Sequence, residues 1–411
     1  MSVYLFEDER AVELYPISIS KPIFTIHCGS YSLAEIVEFW GVPISCWVRP
    51  HLRAVLRADQ EQWFGTARLP APVLLLNAAT VPAVDLLEKV RKLYERGKAG
   101  VVRTNGRLAA ALLPAGVNPP SADSSAEEFA AFVKDLNLPP LELEVPLVEY
   151  PHDLIRHHVA ALRVNLQDRL ARGSYREVAD GVFVAGEAEL GQYLVTDSRT
   201  GPILIENGAR IGPHCYINGP AYIGQGARVI EHSAIKDGVS LGHTTKIGGE
   251  VEASIIEAYT NKQHHGFLGH SYLGSWVNLG AGTCNSDLKN TYGQVNMEYY
   301  GRKVATGMQF IGTIVGDYAK SAINTGIFTG KTVGACSMVY GFVTTNVPSF
   351  VNYARLFGQV TETPADVMIA TQGRMFARRN VTQRPCDAQL LRDMYELSRH
   401  ERQMAGEPLS L

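Results

Sequence analysis

Aliphatic residues recur every six positions through the middle of the chain, at Ile205, Ile211, Ile217, Ile223, Val229, Ile235, Leu241 and Ile247. Four residues after each stands a small or β-branched residue, from Ala209 and Cys215 to Thr245 and Val251. Six fits neither the 3.6 period of a helix nor the alternation of a half-buried strand. It fits a chain making one flat side and one bend per hexapeptide, with three sides closing a coil whose aliphatics stack along an axis. Gly212, Asn218, Gly224, Gly242 and Gly248, each next after an aliphatic, are expected to take the positive φ of tight corners. The register resumes at Leu273 and Leu279, and again at Val315, Ser321, Ile327, Val333 and Val339. The pattern predicts a parallel β-helix, with Ser254 to Gly266 and Asn285 to Thr313 projecting from it as loops.

Ahead of the repeat, short apolar runs (Val3 to Phe6, Ile44 to Val48, Val73 to Leu76, Gly100 to Arg103) alternate with helical patterns (Leu33 to Trp40, Leu52 to Ala58, Ala83 to Glu95). Such alternation predicts a parallel, doubly wound α/β domain. A helix opening at Ser124 or Ser125, with Glu127 or Glu128 three residues on, and another over Asp153 to Arg172 connect it to the repeat. A last helix is expected over Asp387 to Met404. The expected division is 1–118 for the α/β domain, 119–180 for the connector, 181–350 for the β-helix and 351–411 for a helical extension.

Lys and Arg total 38 against 41 Asp and Glu, so no basic excess exists to neutralise nucleic acid or an anionic membrane. No apolar run is long enough to span a bilayer, and the start of the chain lacks a secretory signal's cationic opening, so a cytoplasmic protein is expected. The six cysteines make no C-x-x-C pair and predict neither a zinc site nor a disulfide framework.

Candidate chemistry clusters between the two predicted loops. Asn261 to Gly274, with Asn278-Leu279-Gly280-Ala281-Gly282-Thr283, resembles the acetyltransferase half of the bifunctional N-acetylglucosamine-1-phosphate uridyltransferase/glucosamine-1-phosphate N-acetyltransferase family. Leu288-Lys289-Asn290, Tyr292-Gly293 and Gly316 to Thr325 are similar to a divergent branch of it, as are Leu5 to Asp8 and Pro16 to Pro22. The resemblance implies a nucleotidyltransferase-like first domain, a left-handed hand for the β-helix, a homotrimer, and acetyl transfer from acetyl-CoA to an amino-sugar phosphate. It makes His270 the general base, a role that suits an imidazole titrating near neutral pH. By the same carry-over Lys262 and Tyr272 hold the sugar phosphate, Asn278 and Asn285 contact the sugar, and the Ala281 amide faces the thioester oxygen. Arg302, Lys303, Lys320 and Lys331 are the cations available for the phosphates of coenzyme A.

Two departures bear on substrates. Eight residues separate His270 from Asn278, one hexapeptide short of the family spacing, and the family's coil arginine near Gly212-Pro213 has no counterpart, since Cys215, Tyr216 and Asn218 occupy that region. In the first domain the opening strand runs into Glu7-Asp8-Glu9-Arg10 without the glycines that let backbone amides approach a triphosphate. Asn77 stands where a metal-binding aspartate is expected, so either Asp8 takes over the Mg²⁺, with Arg10 and Lys21 for the phosphates of UTP or dTTP, or nucleotidyl transfer is lost. Three rivals remain: nucleotidyl transfer alone on a trimerising β-helix, a non-catalytic assembly protein, and a zinc enzyme of the γ-carbonic-anhydrase kind. The last would use His265 and His270 with His232 or His243.

Overall fold

The computed structural model describes residues 2–64 and 69–404. Four of the expected strands form, as β1 (Ser2–Phe6), β2 (Ile44–Trp47), β3 (Val73–Asn77) and β4 (Gly100–Thr104), together with β5 (Arg107–Leu112). They lie in the order β2-β1-β3-β5-β4, and β5 runs antiparallel to both neighbours, so the sheet is mixed rather than all parallel. The cause is the turn Asn105-Gly106, both residues at positive φ, which folds β5 straight back on β4. Ser125 caps the helix Ala126–Asp135 by accepting from the Glu128 amide at 3.1 Å. The long connector helix α1 (Pro151–Arg172) follows.

Three parallel walls then wind upward around an apolar axis. Wall A stacks Ile205, Ile223, Leu241, Ile256, Leu273, Val315 and Val333. Wall B stacks Ile211, Val229, Ile247, Lys262, Leu279, Ser321, Val339 and Tyr353. Wall C stacks Ile217, Ile235, Val251 and Leu268, continued by Asn285, Ile327 and Val343. Most of these side chains are at most 3% exposed, which is the burial that holds so short a set of strands together.

Ser254 to Gly266 is therefore no loop. Its strands Ile255–Ile256 and Asn261–Lys262 are wall segments of a regular coil. Shortened corners hide the phase: Val251 follows Ile247 by four residues, and Ile256 follows Val251 by five. The corner chemistry also differs from expectation. Positive φ falls on the third residue after the wall A aliphatic, at Gly208, Gly226, Thr244, Tyr259, Trp276, Tyr318 and Cys336, and at Phe350 after Val347, which bridges Val333. Gly212 and Gly242 serve another purpose, because a Cβ there would lie 2.5 and 2.6 Å from the backbone of the next coil.

Between Asn285 and Thr313, which are themselves wall residues, the chain does leave the prism. That excursion carries an antiparallel hairpin, Asn296–Tyr299 with Arg302–Ala305, that folds onto its own first domain and not away from the chain. Wall A is covered by α1 and the first domain, through Leu204, Ile255, Tyr272 and Ile314. Helices α2 (Ala365–Ala377) and α3 (Pro385–Leu397) cover the edge between walls A and B, where Phe376 packs on Trp276. The single expected last helix breaks at Ser398 before a short one, Arg399–Met404. Wall C is left bare in the later coils, where Phe328 and Phe342 are more than half exposed.

Candidate active site on the β-helix edge

His270 sits at the corner between walls C and A, at φ +45°, a strained value that other corners of this prism share. Its Nδ1 lies 2.9 Å from Oδ2 of Asp287 at the root of the arm, and its ring stacks on Phe310 with centroids 5.1 Å apart. The other strand of the arm root closes on the same corner. The Ile311 amide donates to the Asp287 carbonyl, and the Gly312 amide to the His270 carbonyl. Because a carboxylate can only accept, the Asp287 contact assigns the hydrogen of the neutral ring to Nδ1 and the lone pair to Nε2, which among the described residues no protein group engages. The side chain as a whole is 23% exposed. Asp287 lies just beyond the hexapeptide motif, where spacing gives no sign of it.

Several expected partners of His270 are elsewhere. Lys262 takes an aliphatic's place on the axis at 2% exposure, its ammonium donating to the carbonyls of Gly248, His264 and Gly266 at 2.7, 3.2 and 2.6 Å. Burial pulls its pKa down to about 8, and no donor is left for a sugar phosphate. Asn285 is likewise axial, its amide closing on both backbone groups of Gly269. Tyr272 is fully buried under the first domain with its hydroxyl on Glu257 at 3.1 Å. These three are structural, because an inward or covered wall position leaves no face for a ligand. Asn278 is exposed on wall B, and Ala281 lies at the corner between walls B and C, so neither shares the edge of His270.

Among the cations, Arg302 is paired with Glu13 at 3.0 Å and Lys320 is half-buried, donating to the Tyr318 carbonyl. Burial lowers Lys320 to about 8. Lys303 is exposed on the arm. Lys331 follows on the His270 edge and lines a cavity of about 380 Å³ with Tyr15, Tyr299, Thr332, Arg355 and Glu401.

A metal finds no home in either place proposed for one. The histidines of the zinc reading are spread over all three edges: His270 between walls C and A, His243 between walls A and B against Tyr259, and His265 and His232 between walls B and C but two coils apart, with His232 stacked on His214. Among the described residues no three His, Cys, Asp or Glu side chains converge. In the first domain both Asp8 oxygens accept from Arg107 at 2.9 Å, one also from Asn77, and the other caps the Arg10 amide. A guanidinium therefore occupies the place a Mg²⁺ would need. Asn77 is itself spent, donating to Asp8 and the Leu108 carbonyl and accepting from the Ala79 amide. Lys21 leaves the domain altogether, pairing with Asp317 of the prism at 3.0 Å and donating to Ser275. Arg10 alone of these four keeps a buried donor, Nε, without a partner.

Residues 3–171 match the model of the sugar nucleotidyl transferase family. The chain is 35% identical to the Bifunctional protein GlmU of Acidithiobacillus ferrooxidans over 140 residues, 32% of this chain and 30% of that protein. It is 30% identical to the Bifunctional sugar-1-phosphate nucleotidylyltransferase/acetyltransferase of Sulfurisphaera tokodaii over 34% of this chain and 35% of that one. The solved UDP-N-acetylglucosamine acyltransferase of Francisella novicida aligns at 17% identity and a TM-score of 0.33, over 50% of this chain and 72% of its own, too loosely to add to the fold. The chain thus resembles bifunctional nucleotidyltransferase/acetyltransferases, and its match spans about a third of the length of these curated relatives.

Proposed function

We propose that the chain is a sugar N-acetyltransferase, moving an acetyl group from acetyl-CoA to the amine of an amino-sugar-1-phosphate in nucleotide-sugar synthesis. The observation that carries this reading is the His270–Asp287 pair at an exposed edge of a hexapeptide prism. Nε2 of His270 takes a proton from the amine as its nitrogen attacks the thioester carbon. The C–S bond breaks as the tetrahedral intermediate collapses, and the leaving sulfur takes the proton held on Nε2, which gives the free thiol and restores the neutral ring. Asp287 holds the ring in the tautomer that leaves Nε2 basic and faces the imidazolium once it forms. Lys331 and Lys303 are the cations left for coenzyme A phosphates.

The working unit is a homotrimer. Wall A and its edge with wall B are covered by the chain itself, whereas wall C and its edge expose Ile323, Phe328, Phe342 and Leu356 at 51 to 68%. Ala281 and Asn278 do not share the His270 edge, so a neighbouring copy is the means of bringing them to it. The match over residues 3–171 favours a second reading, nucleotidyl transfer in the first domain, but the Asp8–Arg107 pair gives a metal-dependent step no ligand.

The test is to incubate the protein with acetyl-CoA and glucosamine-1-phosphate or related amino-sugar phosphates, and to look for the amide by mass spectrometry. Acetylation of none of them overturns the reading. A fully active monomer by light scattering overturns the shared site.

A further inference from the structure

We infer that the first domain serves the His270 site as the anchor of the arm, holding Asp287 and Phe310 against the imidazole. The edge of its sheet where a nucleotide and metal would lie is closed by ion pairs. Asp8 is locked to Arg107, and Glu7, fully buried, accepts from Arg49 at 3.0 Å and from the Ile23 amide. The same segment continues into the arm's anchorage. Glu13 accepts both bonds of Arg302, and the Val12 carbonyl accepts the Tyr300 hydroxyl. From α1, His152 meets the Tyr299 hydroxyl at 2.9 Å with the rings stacked, and Arg156 donates to the Thr306 carbonyl at 2.7 Å. Val295 and Met297, at most 1% exposed, complete the first domain's core.

The prism itself grips the hairpin through Asn346, which donates to the Glu298 carbonyl, and the root through Thr329, which donates to the Leu288 carbonyl at 3.1 Å, and the Gly330 amide, which donates to the Ile311 carbonyl at 3.2 Å. The root is a narrow ladder in which Leu288 bridges Phe310 and Ile311 bonds Asp287. A two-stranded ribbon this short does not hold its own geometry in water. The prism ties the root backbone, and fixing the tip is what keeps the Asp287 carboxylate and the Phe310 ring closed on the imidazole, so Glu13 and Arg302 are positioning residues for His270.

The test uses the full chain with Glu13→Arg and Arg302→Glu made singly and together as a charge swap. A triple variant, Glu13→Ala with Tyr300→Phe and Arg156→Ala, cuts three links at once. Carbethoxylation of His270 by diethyl pyrocarbonate is followed by peptide mass spectrometry, with the exposed His264 and His265 of the same coil as internal controls. Loosening the arm uncovers the ring under Phe310. Labelling of His270 is expected to quicken severalfold in the single and triple variants and return to the wild-type rate in the swap, with the controls unchanged. On the acetyl-transfer reading, kcat falls about tenfold at constant KM and recovers in the swap. Wild-type labelling in the triple variant overturns the inference. Labelling that moves in a protein acetylating no amine leaves the anchor standing and overturns only the proposed reaction.

Discussion

His270 and Asp287 stand 2.9 Å apart although one belongs to a prism corner and the other to the root of an arm 17 residues later. The pair couples the regular part of the fold to its one long excursion. Catalysis on such an edge needs the imidazole both basic and aimed, and the carboxylate supplies the aim.

Asp287→Asn keeps the size of that side chain and removes its charge. An amide can also offer its NH₂ to Nδ1, which moves the imidazole proton to Nε2, the nitrogen that must accept one. Acetyl transfer is expected to lose roughly 10²-fold in kcat with KM little changed. Steady-state kinetics at fixed pH read it, and unchanged kcat would remove Asp287 from the mechanism.

Lys262→Met separates a structural lysine from a substrate-binding one. The three carbonyls around the ammonium lose their donor inside a dry axis, which costs roughly 2 kcal/mol or more of stability. A lowered Tm with an unchanged KM for the amino-sugar phosphate is expected. A large rise in KM at unchanged Tm would return Lys262 to the substrate.

The joint between the first domain and the prism is pH-sensitive in both directions. Burial alone would raise Glu257 and lower His27. Their contact at 2.8 Å, with Lys21 beside Glu257 and Glu35 beside His27, outweighs it, leaving the carboxyl at about 2 and the imidazole at about 10. Glu257 contributes stability that is present above its ordinary 4.5 and lost as pH falls toward 2. His27 contributes stability that is fully present below its ordinary 6.5 and lost as pH rises through 10. Thermal melts should therefore show a plateau between about pH 4.5 and 6.5, with a decline on each side. His27→Gln should flatten the alkaline decline between pH 6.5 and 10, and an identical slope in the variant would show that the joint does not depend on this pair.

Asp8→Asn tests whether that carboxylate is a metal ligand or half of an ion pair. Its loss strands the Arg107 guanidinium, whose side chain is 6% exposed, and should cost about 3 kcal/mol of stability. Melts with and without Mg²⁺ should superimpose for the wild type. A Mg²⁺-dependent rise in Tm that disappears in Asp8→Asn would mean that the cation displaces Arg107.

The strictest repeats were the most legible part of the sequence. Ile205 to Ile247 carries its walls in a fixed phase, and even the distant Val315 to Val339 keeps it. Legibility failed where a coil economised on corner residues or put a polar side chain on the axis. Lys262 and Asn285 look like site residues in a string of letters because their partners are backbone atoms, which leave no trace in a motif. The turn at Asn105-Gly106 was a readable hairpin signal, and with it the antiparallel β5 follows. Asp287 was not readable, since its meeting with His270 is made by the way the arm returns to the prism.

The most direct test of the whole account is acetyl-CoA-dependent thiol release with an amino-sugar phosphate, compared between the wild type and His270→Ala. The account predicts turnover that falls by at least about 10²-fold in the variant while the fold is retained. Equal turnover in the two proteins would contradict it, because the edge that carries His270 would then not be where the amine loses its proton.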